Sequence, residues 1–132
     1  MQSHQFTLAE ATDLLPWLES KFAELDPYRS ELRAHRDQFE DLLRKSGGNG
    51  SRDTGEELHR LEQLLREMQK SVEDVLEQIG DRGILVRDPD RGLVDFPSVR
   101  EGQEVHLCWI RGEPEIAHWH SVDEGYAGRQ PL

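Results

Sequence analysis

Near the start of the chain, apolar residues recur at steps of three and four: Leu15, Leu18, Phe22 and Leu25, then Leu32, Phe39 and Leu43 on the same stripe. That spacing places them on one face of a helix and predicts a first helix over residues 7–46, with Arg29 and Arg36 as charged gaps in the stripe. Its start is marked by Thr7-Leu8-Ala9-Glu10, a capping box in which the threonine hydroxyl accepts from the backbone N–H three residues on and the glutamate reaches back. Pro16 and Pro27 fall inside the pattern. Each removes an N–H and crowds the carbonyl four residues earlier, so a kink is expected at Pro16 or Pro27.

Residues 47–53, within Ser46-Gly47-Gly48-Asn49-Gly50-Ser51 and its continuation, read as a flexible connector of small polar residues. Helix two is expected over residues 54–80, opened by a second capping box at Thr54-Gly55-Glu56-Glu57. Leu58, Leu61, Leu65, Met68, Val72, Val75 and Ile79 then hold an uninterrupted 3,4 repeat of coiled-coil type. Glu40/Arg44, Glu56/Arg60 and Glu62/Arg66 stand four apart in the favourable order, as on a solvated helix face. Two such helices should fold back as an antiparallel hairpin, which leaves part of each apolar stripe in water. The economical cover is a second copy, so a homodimer through the helices is expected.

After Gly80 and Gly83 the period changes from helical to alternating, and residues 84–132 read as β-rich. Ile84-Leu85-Val86 and Leu93-Val94-Asp95-Phe96 flank a turn containing Pro89 and Gly92, and Val105 to Ile110 leads through Gly112 and Pro114 into Ile116 to His120. The fold class is therefore α+β, a single domain over residues 1–132 in which a long antiparallel helical hairpin precedes a small C-terminal antiparallel sheet.

The last hairpin carries most of the candidate chemistry. If its loop is odd, Cys108 lies opposite His118 and His106 opposite His120, and Val105, Leu107, Trp109, Ala117 and Trp119 form one continuous apolar face. Trp119 is then expected in the core, with His120 on the face available for function. His106, Cys108, His118 and His120 make a mixed nitrogen and sulfur set suited to a divalent metal such as zinc. The same residues also suit a half-buried polar face on which they merely pack and hydrogen-bond, and strand spacing carries no diagnostic Cys-x-x-Cys signature. Cys108 beside a histidine is a candidate activated thiolate, against the commoner buried inert cysteine. Arg129, in the glycine-flanked Gly125-Tyr126-Ala127-Gly128-Arg129 turn, suits a carboxylate or phosphate ligand, or an ion pair that ties down the C-terminus. Glu115 and His118 match a Glu-x-x-His motif that needs a helix, and a strand sends them to opposite faces.

Composition narrows the partners. Sixteen Lys and Arg stand against 27 Asp and Glu, a net charge of -11 shared along the chain, so neither nucleic acid nor an anionic membrane is an expected partner. No run of apolar residues reaches membrane-spanning length, one cysteine makes no internal disulfide, and Met1-Gln2-Ser3-His4 opens no basic-then-apolar signal, so a cytoplasmic location is expected. No nucleophile elbow, phosphate loop or dinucleotide fingerprint is present.

Several stretches together carry a resemblance: Phe6-Thr7-Leu8-Ala9-Glu10-Ala11 with Leu14-Leu15-Pro16, Gly92-Leu93-Val94-Asp95-Phe96-Pro97, Cys108-Trp109, Gly112-Glu113-Pro114-Glu115-Ile116, Trp119-His120, Gly125 and Gly128-Arg129. They resemble the uncharacterised prokaryotic family catalogued as domain of unknown function 2203. The resemblance implies no known activity. It leaves Cys108, Trp109, Glu115, Trp119, His120 and Arg129 as matched positions, and the family pattern commonly has tyrosine where this chain has His106 and His118. Cys108, Glu115, His120 and Arg129 are accordingly the ligand-binding candidates. The leading functional expectation is a homodimeric assembly or small-ligand-binding module. The alternative, from another class, is a metal-dependent or thiol-dependent enzyme that uses the last hairpin.

Overall fold

The computed structural model describes residues 4–45 and 52–132, so residues 47–51 of the connector expected over 47–53 lie outside the described residues. Thr7 caps the first element as the capping box requires: its hydroxyl accepts from the Glu10 N–H at 3.1 Å while Glu10 accepts from the Thr7 N–H at 2.9 Å. The helical run is divided. α1 spans Leu8–Asp13 and α2 spans Leu15–Lys45, with Leu14 between them. Pro16 is thus the second residue of α2, within the first turn, where a missing N–H costs no helical bond. Pro27 lies inside α2 and has no N–H to give the carbonyl of Ala23.

α3 runs from Arg52 to Asp81, so Arg52 and Asp53 are helical and Thr54 is not the residue that opens the helix. The expected start at Thr54 is displaced because Asp53 already supplies the negative charge that a helix N-terminus favours. No helix among the described residues is long and apolar enough to cross a membrane.

The sheet is a five-stranded antiparallel meander in the order β1-β2-β3-β4-β5: Leu85–Asp88, Leu93–Arg100, Gln103–Ile110, His118–Ser121 and Gln130–Pro131. Arg100 pairs Gln103 across a two-residue turn, Glu101-Gly102, in which both φ angles are positive at 53° and 78°. Such turns match the right-handed strand twist, which is why a glycine stands in one of the two places. The fold is α+β, with long helices followed by this sheet.

The chain divides into two compact units, Met1–Ala23 with Leu76–Leu132, and Glu24–Val75. In the first, Phe6 is held against the sheet by its N–H on the Pro97 carbonyl (2.7 Å), by the Ser98 hydroxyl on its own carbonyl (2.6 Å), and by an edge-on contact with Phe96 at 5.3 Å. Leu18, Phe22, Ile79, Val94, Phe96 and Trp109 are all buried there, and Lys21 donates to Gln78. In the second, α2 and α3 run antiparallel: Arg36 reaches Gln69, and Leu25, Leu32, Leu61, Met68 and Val75 are buried. α3 therefore presents its two apolar columns unequally. Leu61, Met68 and Val75 are covered, whereas Leu58, Leu65 and Val72 stay half-buried.

Trp119 is not a core residue. It is half-buried beside the short last strand, with the Arg100 guanidinium 5.1 Å from its ring, while Phe96 on the same face is wholly buried. Phe96→Ala should therefore cost about 3–5 kcal/mol in urea unfolding through the cavity it leaves. Trp119→Ala should cost distinctly less, and equal losses would show that the outer strands are packed more tightly than this.

Candidate functional site

Strand register builds the site. β3 and β4 pair Cys108 with His118, Leu107 with Trp119 and His106 with His120, the register that the apolar alternation predicts. β2 and β3 pair Asp95 with Cys108 and Pro97 with His106. Because directly opposed residues share a face, one face of the sheet carries two neighbouring rows: Asp95, Cys108 and His118, then Pro97, His106 and His120. The other face carries Phe96, Leu107 and Trp119.

This polar face is not open to water. His120 is 1% exposed, Asp95 2%, Cys108 1% and His106 8%. A carboxylate at that depth must be paired, and Asp95 is paired on both oxygens. Its Oδ1 lies 2.8 Å from His120 Nε2, and its Oδ2 accepts from Arg87 Nε at 3.0 Å and lies 3.5 Å from His106 Nδ1. His120 Nδ1 stands 2.7 Å from the Ser121 carbonyl, which can only accept, so that nitrogen carries a proton. With that proton placed, Nε2 faces Asp95 Oδ1 at hydrogen-bond distance, a contact made by a shared proton or, with both atoms as ligands, by a metal ion lying to one side of them.

His106 completes the group. Its ring meets that of His120 edge-on at 5.4 Å, and its Nδ1 is buried without a hydrogen-bond partner. Burial holds its pKa below the ordinary imidazole value of 6.5, an effect that neighbouring Asp95 partly opposes. The ring is thus neutral at pH about 7, the form that ligates metals. Ligand-type atoms of Asp95, His106 and His120 all lie within 4.8 Å of one another, the one such group of three among the described residues. His106 also lines a pocket of about 260 Å³ with Leu85, Pro97, Glu104 and Val122.

The four residues expected as one metal set are divided. His106 and His120 join Asp95, whereas His118 turns to Arg129, whose Nη2 lies 2.6 Å from His118 Nδ1. Arg129 also donates to both oxygens of Glu113 at 2.9 and 2.7 Å and stacks on Tyr126 at 4.7 Å. Glu113 further accepts from the Ile110 N–H at 2.8 Å, so Arg129 serves to fix the turn after β3. Glu115 is exposed in the segment between β3 and β4. Cys108 sits between the two groups, and burial followed by the negative Asp95 pushes its thiol up to about 12. Without a metal the thiol stays protonated and supplies no nucleophilic thiolate, and Cys108 is not in the group whose ligand atoms converge, Asp95, His106 and His120.

Sequence reasoning did not single out Asp95 or Arg87. The signal was present: an acid flanked by Val94 and Phe96 in a strand must be buried on one face or the other, and a buried acid needs a partner.

Long helices followed by a five-stranded antiparallel meander place the chain among the α+β proteins. The chain belongs to the family described as "Uncharacterized conserved protein (DUF2203)", which matches residues 4–132. No curated protein and no solved structure matches it.

Iodoacetamide at about pH 8 should leave Cys108 unmodified in the native protein while labelling it readily in urea, since only the thiolate attacks. The native state also resists thiol ionisation between the ordinary value of 9.0 and about 12, so this group's contribution to stability falls as pH rises through that window. Equal labelling in both states would place the thiol in solvent.

Proposed function

We propose that the protein is a divalent-metal-binding module whose ligands are Asp95, His106 and His120. The observation that carries this reading is the fixed orientation of His120: one ring nitrogen is engaged by the Ser121 carbonyl, and the other faces the Asp95 carboxylate at 2.8 Å. Ligating histidines are held by such a carbonyl on the distal nitrogen, which sets the tautomer and aims the lone pair. Two imidazoles and one carboxylate suit borderline ions such as zinc, iron(II) or cobalt(II). Three protein ligands leave a coordination position for water or a small ligand, the pattern of reactive rather than closed structural sites. The pocket at His106 offers space beside the group.

The test is cobalt titration of untagged protein stripped of metal. Wild type should take up about one cobalt ion per chain and show visible d–d absorption, whereas Asp95→Asn and His120→Ala, checked for folding by circular dichroism, should lose both. Wild-type protein that binds neither cobalt nor zinc at micromolar levels would end this reading.

A second reading concerns assembly, and it rests on the half-buried Leu58, Leu65 and Val72 column of α3. We propose that a second copy covers this column. About a two-fold axis at Leu65, antiparallel α3 helices would set Leu65 against Leu65 and Leu58 against Val72 of the other copy. Light scattering should give the dimer mass for wild type, and Leu65→Asp should dissociate or unfold it by placing a carboxylate in the seam. A wild-type monomer at micromolar concentration would remove the dimer without touching the metal site.

A further inference from the structure

We propose that Arg87 is the exchangeable cation of the Asp95 site, a guanidinium that neutralises the carboxylate when no metal is bound and leaves it when a metal enters. The proposal rests on the metal-binding reading above and adds to it the residue that sets how readily the site loads.

Three features point to this role. Arg87 Nε donates to Asp95 Oδ2 at 3.0 Å, and the same oxygen faces His106 Nδ1 at 3.5 Å, so the guanidinium occupies the side of the carboxylate that closes toward the second histidine. The two partners are unequally placed, since Asp95 has 3% of its side chain exposed and Arg87 has 48%. The carboxylate cannot withdraw into water, whereas the guanidinium can turn outward while its stem stays where it is. Arg87 also sits on β1, an edge strand, at the point where the register shifts between Val86 and Asp88. Such an irregularity aims a side chain without a rigid ladder on both sides to hold it.

Charge decides the rest. A guanidinium on a buried carboxylate gives a neutral pair, and a divalent ion on the same carboxylate brings two further positive charges within a few ångströms of Arg87. At a separation of about 5 Å, like charges repel strongly even at an effective dielectric constant of about 20. The metal and Arg87 are therefore competitors for Asp95, and the metal-free pair is what keeps the acid compatible with the fold.

Cobalt affinity of the full chain tests this, with wild type, Arg87→Gln and Arg87→Lys compared side by side. Arg87→Gln should bind cobalt at least about tenfold more tightly, because the competing charge is gone, and Arg87→Lys should stay near wild type. Thermal melting supplies an independent readout. Metal-free Arg87→Gln should melt below wild type, since Asp95 loses a partner, and saturating cobalt should raise its melting temperature by more than it raises that of wild type. If wild type and Arg87→Gln bind cobalt equally, or Arg87→Gln binds it more weakly, the exchange is overturned while the metal site stands. If none of the three proteins binds cobalt, the metal reading itself fails and the exchange with it.

Discussion

The structure turns on one carboxylate placed inside a sheet. Asp95 lies between Val94 and Phe96 on the second strand, and both of those neighbours are buried in the apolar core on the opposite face. Chain connectivity leaves the acid no route to solvent, so the surrounding strands must bring charge and hydrogen bonds to it. β1 contributes Arg87, β3 contributes His106 and Cys108, and β4 contributes His120. The polar face of the sheet is thus assembled around a single desolvated group. The same depth that makes Asp95 costly to the fold strengthens its attraction for any cation brought against it, relative to a carboxylate in water.

Local features of this arrangement were legible in the sequence. The Thr7 capping box, the two helical stripes and the alternation of Val105, Leu107 and Trp109 all follow from periodicity, and the pairing of His106 with His120 follows from the parity of one loop. What alternation does not disclose is which side of a sheet meets water. Both faces are covered here, so Trp119 and His120, correctly assigned to opposite faces, exchange their expected environments. Trp119 lies between β3 and the two-residue strand β5 and is half-buried, and His120 lies over Asp95. The partner that turns two histidines into a convergent site sits on a different hairpin, and spacing along one hairpin cannot report it. Glu115 and Arg129 were visible as polar residues near glycines, but only three-dimensional placement shows one exposed and the other committed to Glu113.

The helices show a different relation between pattern and structure. The α3 stripe is continuous from Leu58 to Ile79, yet its environment is not uniform along or around the helix. Within Glu24–Val75 a single neighbouring helix covers one column and leaves the next half-open, as expected when one helix meets a face wider than itself. Arg29 and Arg36 explain why α2 does not spread further over that face: a charged residue replaces an apolar one at each step where a wider contact would form. Sequence periodicity therefore specifies how much surface needs covering, and the spacing of charges specifies how much of it the chain covers by itself.

The arrangement of Asp95, His106 and His120 also bears on how the strands find their pairing. Side chains alternate with a period of two, so a slip of one residue between β2 and β3 would carry Asp95 to the buried apolar face occupied by Phe96 and leave a bare carboxylate there. Sheets with purely apolar faces tolerate such slips more readily, because one hydrophobic residue replaces another. Here a one-residue slip between β2 and β3 separates the acid from both histidines. The polar residues act as a key that admits one alignment, and the site is present whenever the sheet has formed.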